Sequence, residues 1–292
     1  MIARQTVHDR RFAMAPAGLL LALFIATATA SPAGAVYRGY DASFGSYRFM
    51  VSLRLAETPD SHRCGGTLIE PDIVLTAAHC IARVPAGGLV AVFGADVPDW
   101  PNAPRISTLG HRVPETFDFR VDNRDDIAVV RLAAAQDTPG IRLAASEPRL
   151  GVRVVTAGWG CTNAPPVCRV PAANLQASGQ TVLRDSSCGT DVFWTRPTYN
   201  ARTNICTRGT RSRSTINRGD SGGPLLVRDR RGGFRQVGVT ALGSDSTTKA
   251  LRRLHLDSRR TEVDRSRHRV VADELRTRES WGESSAAAGS CR

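Results

Sequence analysis

The chain has 292 residues, 41% hydrophobic and 23% charged, enough for one large domain or two small ones around a real core. Its formal net charge is +12, and lysine is almost absent from the basic set. Such a surface attracts anionic polymers and membranes, but no RNP, zinc-finger or helix-turn-helix pattern turns that charge into nucleic-acid recognition.

Residues 1–35 read as a secretory signal. Arg4, Arg10 and Arg11 precede the apolar run Gly18–Ala26, and small residues follow it. The run is short for a membrane span. Two A-x-A sites are present, Ala28-Thr-Ala30 and Ala33-Gly-Ala35. The mature chain therefore starts either at Val36 or at Ser31, behind a short propeptide ending at Ala35. Export implies an oxidising compartment, so the seven cysteines are read first as disulfide partners, with one left over. The expected location is extracellular, with no stable membrane anchor once the signal is removed.

From Arg48 to about Gly243 the chain is a succession of short strand-like runs. They include Phe49–Leu53, Ile73–Thr76, Leu89–Phe93, Ile127–Leu132, Val152–Thr156, Pro224–Val227 and Gln236–Thr240. Pro, Gly, Asn and Asp clusters separate them without any long helical periodicity, which argues for an all-β sandwich or barrel. After Thr248 the composition changes. Residues 249–292 carry eleven Lys and Arg with one aromatic, Trp281, and look like a charged tail. A basic tail of this kind could serve as an anion-binding module.

Three segments carry chemistry when taken together. Thr76-Ala-Ala-His-Cys80 puts His79 at the end of a strand-like run. Asp125-Asp-Ile-Ala-Val-Val-Arg-Leu132 opens an apolar strand with acids. Gly219-Asp-Ser-Gly-Gly-Pro224 sets Ser221 between an acid and two glycines. A serine hydroxyl is a poor nucleophile at neutral pH unless a base and oxyanion donors accompany it. Alone, each segment is an ordinary core histidine, strand-start acid or turn serine.

In this order, with Thr156-Ala-Gly-Trp-Gly160 and Asn204-Ile-Cys206, the three segments resemble the chymotrypsin/trypsin family of serine endopeptidases, in the style of small secreted bacterial members. The resemblance covers about Val36 to Ala250. It implies two antiparallel six-stranded β-barrels, with residues 36–250 as the protease domain and 251–292 as a basic, partly disordered tail. It also implies that Ser221 attacks the scissile carbonyl, His79 shuttles the proton and Asp126 orients the imidazole. Asp126 is preferred to Asp125 because it directly precedes the strand. The N–H groups of Gly219 and Ser221 would form the oxyanion hole, and Asp220 would receive a new N-terminal amine at Val36. Cys64 would pair with Cys80 and Cys188 with Cys206, leaving Cys161 and Cys168 for a local loop and Cys291 odd.

The same resemblance puts Thr215 at the base of the primary pocket, Arg218 at its rim, and Ala241, Leu242 and Gly243 along the substrate backbone. Thr215 offers no charge for a buried guanidinium, so specificity for Lys or Arg is not expected. No metal or organic cofactor is called for. The expected partners of this monomer are protein or peptide substrates, with no specific nucleic acid. Beyond Lys249 neither the family's last strand nor its terminal helix is recognisable, although Arg253–Leu256 alternates and Arg269–Glu279 could be helical. The atypical tail is therefore expected to replace both elements. A catalytically inactive homologue acting as a basic binding module is the alternative.

Overall fold

The computed structural model describes residues 36–94, 103–117, 125–163, 171–188, 203–210, 214–241 and 248–253, together with 192–193, 196–197, 199 and 201. All of them fall in the one compact unit that runs from Pro32 onward. The strands are β1 (Tyr40–Asp41), β2 (Met50–Leu55), β3 (Cys64–Glu70), β4 (Ile73–Thr76), β5 (Leu89–Phe93), β6 (Arg105–Arg112), β7 (Ala128–Leu132) and β8 (Arg153–Gly158). They continue as β9 (Gln176–Val182), β10 (Val192–Phe193), β11 (Arg196–Pro197), β12 (Asn204–Gly209), β13 (Pro224–Arg228), β14 (Phe234–Val239) and β15 (Thr248–Arg253). One four-residue helix, α1 (Ala78–Ile81), follows β4.

Strands β2-β3-β4-β7-β6-β5 close into the first barrel. Alternate residues of each strand point inward, and Leu53, Leu68, Val74, Ala91, Val130 and Leu132 fill its interior. Each such leucine or valine contributes roughly 1.5–3 kcal/mol through burial. The second ring runs β8-β9-β12-β15-β14-β13 and returns to β8, while β1 pairs with the free half of the β9 edge. Its interior holds Val154, Val182, Ile205, Ile216, Leu225 and Val237.

Leu226 is also fully buried, but it belongs to a third cluster with Met50, Trp159 and Leu175. Successive strand residues face opposite ways, so β13 is buried on both faces. One face fills its own barrel and the other packs toward the first barrel. Thr67 Oγ1 of β3 donates to Gln236 Oε1 of β14 at 2.6 Å, a buried tie between the two barrels.

The sixth place of the second barrel corrects one expectation. The last strand is present as β15, pairing Ile205 with Leu251 and Gly238 with Arg253. It lies earlier than the Arg253–Leu256 run and crosses the boundary set at 250. Its apolar signal is weak because Thr, Lys and Arg surround Ala250 and Leu251, whereas the ladder needs only backbone donors and acceptors. The proposed helix at 269–279 and the signal at 1–35 lie outside the described residues. Among those described, no helix is long and apolar enough to cross a membrane.

Candidate active site

Strand β4 ends at Thr76 and leads directly into α1, which carries His79. Strand β7 starts just after Asp126. Because β4 and β7 pair, with Thr76 opposite Ala128, their ends bring His79 and Asp126 together. Asp126 is fully buried and grips the helix twice: Oδ2 accepts from His79 Nδ1 at 2.7 Å and Oδ1 from the His79 backbone N–H at 2.8 Å. A carboxylate that only accepts fixes the proton on Nδ1, leaving Nε2 as the basic nitrogen. Asp125 sits in the preceding turn at φ 50°.

The histidine keeps 21% side-chain exposure. Behind it Cys80 is bonded to Cys64, stapling α1 to the start of β3. Cys64, His79 and Cys80 offer ligand atoms within 4.8 Å of one another. Sulfurs joined in a disulfide are not thiolates, so this group does not make a metal centre.

Ser221 arrives from the second barrel. Its carbonyl accepts from Gly65 N–H of β3 at 2.7 Å, and Gly222 N–H donates to Thr240 O at 2.8 Å. Gly222 has φ +81°, and a Cβ there would lie 2.2 Å from Gly65 O and 2.3 Å from Thr76 Oγ1. Only glycine allows the serine turn to lie against strands β3 and β4, the two that flank the Cys64–Cys80 staple. Ser221 itself is partly exposed.

Two peptide units in this turn have their carbonyls tied down. Arg218 O accepts from Cys161 N–H at 2.8 Å and Asp220 O from Gly223 N–H at 3.0 Å. A trans peptide points its N–H opposite its C=O. The N–H groups of Gly219 and Ser221 are therefore directed away from those anchors, as a fixed pair of donors. Asp220 is fully buried, and its carboxylate accepts from Gly160 N–H at 2.9 Å and Asn217 N–H at 2.7 Å. Gly160 has to be glycine, since a Cβ would meet the Asp220 carboxylate at 2.5 Å.

Sequence reading missed one participant. His62 is buried, and its Nε2 lies 2.8 Å from Gly219 O, a pure acceptor. Nε2 therefore carries the proton, and Nδ1 accepts from Ser52 Oγ at 2.8 Å. That oxygen in turn accepts from the buried Arg54 Nε at 3.1 Å. A directional chain thus runs from a guanidinium to the peptide beside Ser221. Burial first, and the Arg54 charge less, push the His62 imidazole down to about 4 against the opposing Gly219 bond. The only sequence signal was a histidine two residues before Cys64, and lone histidines are commonplace.

The remaining predicted positions are placed unevenly. Thr215 is buried, donates its backbone N–H to Tyr37 O at 2.8 Å, and has no partner for Oγ1 among the described residues. Arg218 is exposed and Ala241 is half-buried, while Leu242 and Gly243 lie outside the described residues. Cys188–Cys206 is formed. Cys161 is disulfide-bonded, and Cys168 lies outside the described residues.

The sequence model of the family described as Trypsin matches residues 36–254. The chain belongs to the trypsin family. It is a serine-type endopeptidase of chymotrypsin-like fold. Among its relatives, chymotrypsin-C of Bos taurus is 32% identical over 224 residues, covering 72% of this chain and 78% of that one. Trypsin eta of Drosophila erecta is 28% identical over 229 residues, covering 74% and 84%. The solved structure of neuropsin, a serine protease of mouse brain, superimposes with TM-score 0.65 at 17% identity, covering 83% of this chain and all of that one, which speaks to the fold. These relatives are animal proteins, so the expected likeness to small bacterial members is not supported. The short runs read from the sequence belong to the trypsin family at large and do not resolve its branches.

Proposed function

We propose that the protein is a secreted endopeptidase that cleaves proteins or peptides through an acyl-enzyme on Ser221. The observation that carries this reading is the double grip of buried Asp126 on His79, on a helix joined directly to β4 and by the Cys64–Cys80 bridge to β3, the two strands against which the Ser221 turn lies. In this reading His79 Nε2 takes the serine proton during attack and returns it to the leaving amine. The N–H groups of Gly219 and Ser221 receive the oxyanion, each contributing about 3–4 kcal/mol to the transition state.

Activation follows the same geometry. Val36 is fully buried in a left-handed conformation at φ 55°, costly for a β-branched residue. Tyr37, beside it, is bridged to Thr215 in the segment that leads to Asp220. Cleavage after Ala35 releases the backbone of Val36 and frees an amine to pair with the Asp220 carboxylate. The primary pocket takes uncharged side chains, because Thr215 cannot compensate a desolvated guanidinium.

The test is labelling of the purified secreted protein with a fluorophosphonate probe, alongside hydrolysis of denatured casein. The expected result is a single label on Ser221 and casein turnover, both absent in Ser221→Ala. A folded protein that neither labels nor cleaves would leave the inactive, basic binding module in its place. N-terminal sequencing of the active protein checks the start at Val36, and a start at Ser31 would overturn the activation step.

A further inference from the structure

A groove with no part in the chemistry opens at the far end of β13, at Arg228, roughly 23 Å from Ser221 along an extended chain. It encloses about 660 Å³, between the β1–β2 segment, the stretch 139–142 and the β13–β14 hairpin. That volume suits a side chain or two of a bound polypeptide. Its floor is aromatic. The Tyr47 ring lies 5.3 Å from Phe234 and 6.1 Å from Phe49, centroid to centroid. Its rim is cationic, with Arg48, Arg142 and Arg228 exposed around the opening, Arg228 using one nitrogen to donate to Gly232 O at 2.9 Å. The nearby carboxylates are engaged. Asp41 accepts from Gln176, and Asp229 accepts from the N–H groups of Arg231 and Gly233 while facing Arg235 at 3.5 Å.

We propose that this groove is a docking site for an acidic polypeptide segment that carries an aromatic side chain. The two halves of the surface ask for different things. The arginine rim matches carboxylates, which guanidinium binds through paired N–H donors. The half-buried edges of Phe49 and Phe234 give one inserted aromatic ring apolar contact that a ligand bringing charge alone leaves unused. Single-stranded nucleic acid brings rings as well, but it needs open faces on which successive bases can stack. Here Tyr47 is only 5% exposed, and the face of Phe234 is covered by the Arg228 guanidinium 4.6 Å from the ring centroid. Gly232 and Gly45, with little or nothing near their missing side chains, leave room at the wall for an extended peptide. A segment held here and a second segment at Ser221 would belong to one bound chain, which raises the effective concentration at the catalytic turn.

Binding is read by fluorescence polarisation of a fluorescein-labelled Glu-Asp-Trp-Glu-Asp peptide on the full-length Ser221→Ala protein, so the outcome does not depend on whether Ser221 hydrolyses. The peptide is expected to bind saturably. The double variant Arg142→Glu/Arg228→Glu should weaken it at least about tenfold, and Arg83→Glu, an exposed reversal elsewhere, less than about twofold. Far-UV circular dichroism confirms that both variants are folded. A second probe with glycine in place of the tryptophan should lose most of its affinity. The proposal is overturned by any of four results: no binding, equal loss in the Arg83 variant, equal affinity of the glycine probe, or displacement of the peptide by oligothymidylate at lower concentration than by unlabelled peptide.

Discussion

Acidification should destabilise this protein through His62. In the folded chain the imidazole is neutral, donating to Gly219 O and accepting from Ser52, and its protonation falls at about 4. In the unfolded chain it protonates near 6.5. Above about 6.5 neither state carries the extra proton, and the full stability is present. As pH falls below that value the unfolded chain binds a proton that the folded one refuses, and stability drops by about 1.4 kcal/mol per pH unit until about 4. At pH 4.5 the accumulated loss is about 2.5 kcal/mol, a large fraction of a domain's usual margin. The assay is urea denaturation of Ser221→Ala protein, which does not digest itself, between about pH 7.5 and 4.5, compared with the same protein carrying His62→Gln. Glutamine can still donate to Gly219 O but has no proton to gain. The difference between the two proteins should therefore shrink by about 2.5 kcal/mol across the range. Parallel pH profiles would refute the assignment of a buried neutral imidazole.

Four further outcomes follow from the site. Asp126→Asn should reduce kcat by about 10⁴-fold with little change in KM, since the amide no longer fixes the Nδ1 proton; steady-state kinetics on a peptide anilide checks it. Gly160→Ala places a methyl 2.5 Å from the Asp220 carboxylate; it should cost about 2–4 kcal/mol in denaturant unfolding and abolish fluorophosphonate labelling, because Asp220 is buried and cannot retreat. Replacing Cys64 and Cys80 together by alanine removes a bridge spanning 16 residues, and thermal unfolding should show a loss of about 3 kcal/mol. Profiling against a peptide library should give poor cleavage after Lys or Arg, and Thr215→Asp should raise it.

What could be read from the sequence was set by how local each signal is. Strands β2, β4, β5, β7, β8, β13 and β14 are marked by branched and aromatic residues, and their runs stand within a residue or two of the observed bounds. Strand β9, Gln176-Ala-Ser-Gly-Gln-Thr-Val182, gives no such signal, yet five of its seven residues are buried. It sits in the interior because its polar side chains find partners there: Gln180 Nε2 donates to Ser178 Oγ, which donates to Ser214 Oγ. Hydropathy scores those residues as surface, since it cannot see a partner thirty-six positions away. The same blindness hid His62, whose role depends on Gly219, far along the chain.

The segments bearing His79, Asp126 and Ser221 were legible for the opposite reason. Each must meet several demands at once, and so keeps a short, rigid spelling. Gly222 has to accept a positive φ and the approach of Gly65 O, while Gly160 has to leave room for the Asp220 carboxylate. Asp126 has to satisfy a side chain and a backbone donor from a fully buried position. No such pressure acts on β15, where any residue with a free N–H and C=O completes the ladder. This is why an arginine-rich segment with no recognisable spelling can still close the second barrel. Since Thr240 O just past β14 holds Gly222 N–H, and among the described residues β15 pairs with β14 at Gly238 and Val239, the closure reaches the serine turn through the end of a single strand.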